Sequence, residues 1–483
     1  MKLSEILKKI DYDRKNFIEC EITGIEHDSR KVEKGGIYVC LKGLSFDGHD
    51  FAKAAVDTGA ACIITERFIE GIDAVQIKVN DARTAYSVAA SNWYGNPHEK
   101  LKIIAVTGTK GKTTTTHIIR EMLETAGHKT AIMGTLGTFI GGEKYEQKLT
   151  TPDPMDFHRL LKIIADKGCE YAVMELSAHA LYLKKTEPVK FAAGVFTNLS
   201  HDHLDDFMTM ERYSEAKKLL FKDGKCKVAV VNADDKLASF MTDEFNGTLV
   251  TYGMLSGSKY VAERVKCNLS DVTYDVKIGD KSHHVVMNIP GRFNVYNSLA
   301  SIAACIELGI DEEKVLNGVS KIKNVDGRME SVNCGQDFTV IVDYAHSPDS
   351  LKNVLTAACG FTEANVISVF GCGGDRDTKK RPVMGGISSE LADYTIITSD
   401  NPRTEDPDSI IDMIEQGMTT QEYIRITDRR KAIYEALRIA ESGDVVVIAG
   451  KGHETYQDVM GKKHHFDDRE VVRDYFEGTE EDD

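Results

Sequence analysis

The stretch LKIIAVTGTKGKTTTTHIIR, residues 101–120, decides the fold. Five of its first six residues are apolar and three are β-branched, the composition of a buried strand. A short loop follows, Gly108-Thr109-Lys110-Gly111. Lys112, Thr113 and Thr114 then open a helix with Ile118, Ile119, Met122 and Leu123 on one face. Strand, glycine loop and helix in this order make a phosphate-binding unit, because the first helical N–H groups and the helix dipole point at the loop. The common pattern is G-x-x-x-x-G-K-[ST]. Here Val106 stands where its first glycine belongs, and Gly108 falls only three residues before Gly111. The two glycines still let the backbone approach a phosphate. Lys112 adds a point charge, and Thr113 adds a hydroxyl for Mg²⁺. A plain turn would need no Gly-Lys-Thr between a buried strand and a helix, so the shortened loop is read as a nucleotide site.

Working outward, further apolar runs read as strands: YAVMEL (171–176), FAAGVFT (191–197) and KVAVV (227–231), with helical stretches between them. Strand–helix alternation predicts a mostly parallel sheet. Residues 246–288 alternate polar and apolar and predict a small antiparallel insert, followed by a helix near 294–308. A second parallel series comprises FTVIVD (338–343), NVISVF (365–370), YTIIT (394–398) and DVVVIAG (444–450). Before the phosphate loop, GGIYVCL, AACIITE and AVQIKV suggest a small α/β unit, ending at the turn-rich YGNPHEK (94–100). The expectation is therefore three α/β domains: residues 1–98, 99–326 and 327–483. At 483 residues the chain is long enough for three.

Composition narrows the function. A formal net charge of −16 argues against nucleic acid or an anionic membrane as partner, since phosphate backbones need a broad basic surface. No apolar run approaches the ~18 residues of a membrane span. The N-terminus is charged throughout, with Leu3, Ile6, Leu7 and Ile10 spaced as a short amphipathic helix. The ten cysteines are scattered with no C-x-x-C pair, as in a reduced cytoplasmic protein.

Ligands in open α/β sheets bind beyond the carboxyl ends of the strands. Glu175 ends a strand and is placed there as a Mg²⁺ carboxylate. Asn198, His201, Asp202, His203 and Asp205 crowd the next strand end, and His203 is a candidate metal ligand. Asn294 and Asn297 stand at a helix start, where an N-cap and an amide contact to a nucleotide base are both open readings. In the third series four strand ends carry polar loops: Asp343, His346 and Asp349; Asp375, Arg376 and Lys380; Asp400, Asn401 and Arg403; Gly450, Lys451, His453 and Glu454. Mixed Asp, Glu and Arg suit a zwitterion better than a phosphate, because carboxylates hold an ammonium and arginine holds a carboxylate.

These motifs in this order resemble the Mur ligases, the ATP-dependent amide-forming enzymes of peptidoglycan precursor synthesis. Within that family they look most like the MurE type, which adds the third amino acid. The resemblance covers nearly the whole chain: HDSRKVEKGGIYVCLKG and DGHDF (27–51), the shortened phosphate loop, TTPDP (150–154), TNLSHDHLD (197–205), GRFNVYNSLAS (291–301), GRMES (327–331), DYAHSPDS and DNPRTEDP. It implies a UDP-binding N-terminal domain, a central ATPase-like domain and a Rossmann-like C-terminal domain that takes the amino acid.

Residue by residue, the resemblance implies that Ser29 and Arg30 hold the UDP moiety. Thr150, Thr151, Ser177 and Lys185 would meet the rest of the UDP-linked substrate. Gly108, Thr109, Lys110, Gly111, Lys112, Thr113 and Thr114 would hold the ATP phosphates, with Asn294, Asn297, Arg328 and Asp343 completing the nucleotide site. Thr113, Glu175, His203 and Lys217 would be metal ligands, Lys217 as a carbamate, and Lys112, Lys217 and His203 would serve catalysis. Arg376, Asp400, Asn401, Arg403, Gly450 and Glu454 match positions for meso-diaminopimelate, and DNPR is the form associated with that amino acid. The substrates implied are UDP-N-acetylmuramoyl-L-alanyl-D-glutamate, meso-diaminopimelate and ATP with Mg²⁺, handled by a cytoplasmic monomer.

The chain departs from the family pattern at Lys110, where Asn is usual, at Ala178, where Ser is common, and at Lys185, where Arg is frequent. Lysine lacks the planar fork of arginine. A relative that adds L-lysine or another amino acid, a folyl-glutamate ligase, and an ATP-binding paralogue without catalysis remain alternatives at this level. The DSR segment and TTPDP speak against folate, and intact Lys112, Glu175, His203 and Lys217 speak against loss of catalysis.

Overall fold

A computed structural model describes residues 1–43, 46–200, 204–255, 257–268 and 270–478, with the side chains of residues 204 and 205 left out. Among the described residues, three α/β domains each rest on a sheet of their own, and a separate two-stranded hairpin, Tyr456–Val459 with Lys462–His465, lies near the C-terminus.

The N-terminal sheet runs Asp13–Lys15, Val75–Lys78, Cys62–Thr65, Ile37–Val39, Ile25–Glu26. All neighbours are parallel except the first pair. The N-terminal amphipathic segment forms one helical turn, Leu3–Ile6, and buries Leu3, Ile6 and Leu7 against Ile37, Ile64 and Ile77. Asp81 caps the longer helix Ala82–Trp93 by accepting from the Arg83 and Thr84 amides, which satisfies two of its orphan donors.

The central sheet has eleven strands. Its core places Lys102–Thr107 between Phe191–Phe196 and Tyr171–Glu175, parallel to both. These strands are buried on both faces, which explains their unbroken apolar runs. On one face the phosphate-loop helix Lys112–Thr125 packs with Phe293–Glu307 and Glu312–Lys321 through Ile118, Ile119, Met122, Leu299, Val315 and Val319. The other face is covered by Pro154–Asp166 through Phe157, Leu160, Leu161 and Ile164.

The segment expected as a small antiparallel insert is an extension of this sheet. Thr248–Gly253 pairs in parallel with Cys226–Asn232, and Tyr260–Cys267 pairs in parallel with Thr248–Gly253. Only Tyr260–Cys267, Val272–Ile278 and Lys281–Met287 form an antiparallel meander. Alternation revealed the half-covered strands but could not show that their edge joins the parallel core.

The C-terminal sheet runs Glu330–Ser331, Thr339–Asp343, Val445–Ala449, Val366–Phe370, Tyr394–Ile397, Tyr423–Arg425. All its pairs are parallel except the first. Helices cover both faces: Pro348–Cys359, Lys380–Leu391 and Pro407–Glu415 on one, Arg429–Ile439 and Asp468–Glu477 on the other. This doubly wound arrangement places the ends of the strands at Asp343, Phe370, Ile397 and Ala449 on one rim. No helix among the described residues is long and apolar enough to cross a membrane.

Candidate functional site

The phosphate loop leaves the strand at Thr107 and enters the helix at Lys112. Gly111 sits in the left-handed region at φ +85°, and an added Cβ would lie 2.4 Å from Asn297 Oδ1. At Gly108, φ +145°, a Cβ would lie 1.9 Å from Thr197 Oγ1. Both positions therefore need glycine for shape as well as for backbone angle. Gly111, at the cap position, has no side chain with which to cap the helix start. Lys112 Nζ folds back to donate to the carbonyls of Gly108, at 2.9 Å, and Thr109, at 3.0 Å.

Glu175 is 2% exposed at the end of its strand. It accepts from Thr113 Oγ1 at 3.0 Å, from the Thr135 amide at 2.8 Å and from Thr135 Oγ1 at 3.0 Å. A Cβ at Gly134 would lie 2.2 Å from its Oε1, so the strand Thr130–Gly134 closes tightly over the carboxylate. Thr135 directly follows the buried strand Thr130–Gly134 and was not singled out in the sequence, because that short run was not read there as a strand.

Lys217 and Lys218 divide sharply. Lys217 Nζ donates to the Gly108 carbonyl at 2.9 Å and lies over the Tyr213 ring, 4.5 Å from its centroid. Lys218 turns away, pairing with Asp243 at 2.6 Å and Glu244 at 3.0 Å. His203 lies outside the described residues. Among the described residues, no group of three or more His, Cys, Asp or Glu stands ready to hold a metal ion.

Asn294 and Asn297 do not cap their helix, whose cap position is Arg292. Asn294 donates back to the Pro290 carbonyl at 2.7 Å, and Asn297 donates to Asn294 Oδ1 at 2.8 Å. Asn297 also accepts from Thr115 Oγ1 at 3.3 Å, so it stands beside the phosphate loop.

The C-terminal domain reaches into this site. Arg328 Nη2 lies 3.3 Å from Thr113 Oγ1, and its guanidinium lies 4.9 Å from the Tyr344 ring centroid. Arg328 Nε is buried without a hydrogen-bond partner among the described residues, which marks a place for an acceptor. Asp343 accepts from the Met329 amide at 2.7 Å, and burial raises its carboxyl pKa against the pull of Arg328. Burial and the nearby Arg328 push the His453 imidazole down to about 3, so this ring is neutral near pH 7.

A cavity of about 750 Å³ joins these groups. Its walls include Thr109–Thr114, Glu175, Lys217 and Asn297 from the central domain, and Arg328, Asp343, Tyr344 and His346 from the C-terminal domain. Thr150, Thr151, Ser177 and Lys185 line it as well. Thr151 is 2% exposed; its hydroxyl donates to the Glu175 carbonyl at 3.0 Å and accepts from the Ser177 amide at 3.1 Å. Lys185 pairs with Asp153 at 2.7 Å. Ser29 and Arg30 stand apart on the N-terminal domain, where Arg30 is exposed and grips Asp28 at 2.9 Å.

A second cluster forms on the C-terminal rim. Asn401 donates to Glu454 at 2.8 Å and accepts from Lys451 Nζ at 3.3 Å and from the Asp458 amide at 2.8 Å. Burial raises the Glu454 carboxyl pKa, while Lys451 opposes the shift. Gly450, at φ +121°, leaves no room for a Cβ, which would lie 2.3 Å from Asp400 Oδ2. Arg403 donates to the Gly374 carbonyl, while Arg376 is exposed on the adjoining loop. Two fully buried arginines behind this rim escaped the sequence reading, because arginine alone suggests surface. Arg429 pairs with Asp468 at 2.8 Å and donates to the Ala449 carbonyl at 3.0 Å. Arg381 pairs with Glu405 at 2.8 Å.

Comparison with known proteins agrees with this arrangement. Three protein-family models match the chain: "Mur ligase family, catalytic domain" over residues 21–94, "Mur ligase middle domain" over 106–305, and "Mur ligase, glutamate ligase domain" over 327–452. The UDP-N-acetylmuramoyl-L-alanyl-D-glutamate--2,6-diaminopimelate ligase of Clostridium tetani is 45% identical over 484 residues, covering 99% of each chain. The ligase of that name from Clostridium botulinum is 43% identical over 480 residues, covering 98% of this chain and 99% of its own. A solved structure of a UDP-N-acetylmuramoyl-L-alanyl-D-glutamate--2,6-diaminopimelate ligase matches with a TM-score of 0.70 at 34% identity, over 95% of both chains. With a shortened phosphate loop, a C-terminal arginine reaching that loop and full-length likeness to these enzymes, the chain belongs to the Mur ligase family, the ATP-dependent ligases that join an acid to an amino acid.

Proposed function

We propose that this chain adds meso-diaminopimelate to UDP-N-acetylmuramoyl-L-alanyl-D-glutamate with hydrolysis of ATP to ADP and phosphate, in peptidoglycan precursor synthesis. The observation that carries the reading is the full-length likeness to ligases of that name. The D-glutamate side-chain carboxylate attacks the γ-phosphorus, the bond to the β-phosphate oxygen breaks and ADP leaves. The neutral amine of diaminopimelate then attacks the acyl carbon, phosphate leaves and the amine loses a proton.

Each residue has a part in this scheme. Gly108–Thr114 hold the phosphates, with Lys112 swinging from the loop carbonyls to the transferred group. Asn294 supports Asn297 beside the nucleotide, and Arg328 supplies a guanidinium from the C-terminal side with Asp343 behind it. The orphaned Arg328 Nε supports this role, because a phosphate oxygen would satisfy it. Thr113 and Glu175 offer hard oxygen donors that suit Mg²⁺, and His203 would join them. Bound there, Mg²⁺ would offset negative charge on the phosphates.

Lys217 is the candidate for a carbamate, supported by its place in the cavity wall where Lys218 points away. Thr150, Thr151, Ser177 and Lys185 would meet the dipeptide end of the UDP substrate, with Ser29 and Arg30 at its nucleotide end. On the C-terminal rim, Asp400, Asn401, Gly450 and Glu454 would meet the amino acid, with the carboxylates of Asp400 and Glu454 suited to its second, non-reacting ammonium. Arg403 would take the carboxylate at the far end, which L-lysine lacks, with Arg376 beside it among the residues that meet the amino acid. A cation left unpaired penalises lysine. Boundaries at 98/99 and 326/327 divide these duties among three domains.

The test is ADP release with the UDP-linked dipeptide and one amino acid at a time. Release with meso-diaminopimelate is expected. Release with L-lysine and none with meso-diaminopimelate would overturn the assignment.

A further inference from the structure

Arg403 stands in the left-handed region at φ +51°, a conformation that costs a non-glycine residue free energy and persists only where its surroundings enforce it. Part of the enforcement comes from the hairpin of Tyr456–Val459 and Lys462–His465. The Arg403 amide donates to the Asp458 carbonyl at 2.9 Å, and its own carbonyl accepts from the Met460 amide at 2.7 Å. The rest comes from the loop after the strand Val366–Phe370. The Gly374 amide donates to the Asn401 carbonyl at 2.9 Å, and a Cβ on Gly374 would lie 1.9 Å from the Pro402 carbonyl oxygen. Thr404 Oγ1 donates to Asp375 Oδ1 at 2.7 Å, and Asp375 is itself left-handed at φ +54°. The two loops are thus zipped together at the point where both are strained.

Glu405 is the hub of that zipper. It accepts from the Asp375 amide, and both its oxygens are held by the Arg381 guanidinium at 2.8 Å. Arg381 is fully buried, and its Nη2 also lies 3.4 Å from the Gly373 carbonyl. Consecutive carbonyls of one loop therefore serve two arginines: Gly373 takes Arg381 beneath the loop, and Gly374 takes Arg403 at the rim. A bidentate pair of this kind fixes direction as well as distance. Neither Arg381 nor Glu405 lines the large cavity.

We propose that the buried Arg381–Glu405 pair is the positioning element that sets amino-acid selectivity, by holding the two loops so that Arg403 meets the far carboxylate of the incoming amino acid. The inference rests on the assignment of Arg403 given above. Selectivity depends on where that guanidinium lies, and small misplacements of a binding group are costly.

The test compares Glu405→Gln and Thr404→Val with the parent enzyme. The readouts are kcat/KM for meso-diaminopimelate over that for L-lysine, together with KM for ATP and for the UDP-linked dipeptide. Glu405→Gln keeps the side chain's shape and loses its charge. The selectivity ratio is expected to fall about tenfold or more, chiefly through KM for meso-diaminopimelate, with the other two KM values unchanged. Thr404→Val, at an exposed position, is expected to move the ratio the same way by less. An unchanged ratio in a folded Glu405→Gln enzyme would overturn the proposal. So would an equal rise in all three KM values. If Glu405→Gln does not fold, an unchanged ratio in Thr404→Val is the overturning result. Arg403→Ala separates the two claims. If it leaves the ratio intact, the assignment of Arg403 itself is wrong. If it collapses the ratio while Glu405→Gln does not, only the positioning role fails.

Discussion

Lys217 and its neighbour Lys218 show how much one residue's direction decides. Both are nearly buried and both stand in the helix Met210–Lys218, but one amine faces the phosphate loop and the other faces Asp243 and Glu244. Lys217→Ala is expected to lower kcat by about 100-fold or more, the usual effect of removing a group that stabilises charge in a transition state. Lys218→Ala should leave kcat within error of the parent enzyme. Equal losses in the two variants, measured by phosphate release, would contradict the assignment. At this scale the sequence was most legible where chemistry sits next to a strand end. Lys112, Thr113 and Glu175 could be placed because their strands are unmistakably apolar. Thr135 was missed because the strand before it was not read, and Tyr344 because tyrosine is common in any loop. Arg381 and Arg429 could not be found at all, since their burial depends on carboxylates that are distant or unremarkable in the chain.

Among elements, the helix Lys112–Thr125 carries the site and depends on its neighbours for position. Gly318, in the helix Glu312–Lys321, permits the closest approach: a Cβ there would lie 2.6 Å from Met122 Cα. Gly318→Ala gains helix propensity but forces the two helices apart, and overpacking costs about 1–3 kcal/mol. The expected result is a lower midpoint of thermal unfolding, and an unchanged or raised midpoint would show that the contact yields freely. Helix periodicity made both helices visible, but nothing in a local pattern says which glycine serves as a contact. The same limit explains the segment 246–288. Its alternation was readable, while its attachment to the parallel sheet depends on pairing between Cys226–Asn232 and Thr248–Gly253. Arg292, at the cap of the helix Phe293–Glu307, makes a related point: Asn294 and Asn297 looked like capping residues, yet they face inward to each other and to the phosphate loop.

At the scale of the molecule, two of the three domains build one cavity. The central domain presents Lys112, Thr113 and Glu175, and the C-terminal domain sends Arg328 across to Thr113 and carries the polar rim on its own strand ends. Strand–helix alternation alone made two parallel sheets legible, and the order of motifs made the family legible, while the cavity shared by two domains required the folded chain. The central claim is that this arrangement joins the D-glutamate carboxylate to an amino acid with a carboxylate at its far end. The most direct measurement supplies ATP, Mg²⁺ and the UDP-linked dipeptide with equal concentrations of meso-diaminopimelate and L-lysine, and identifies the product by mass. The account predicts the diaminopimelate tripeptide almost alone; a product that is mainly the lysine tripeptide would contradict it.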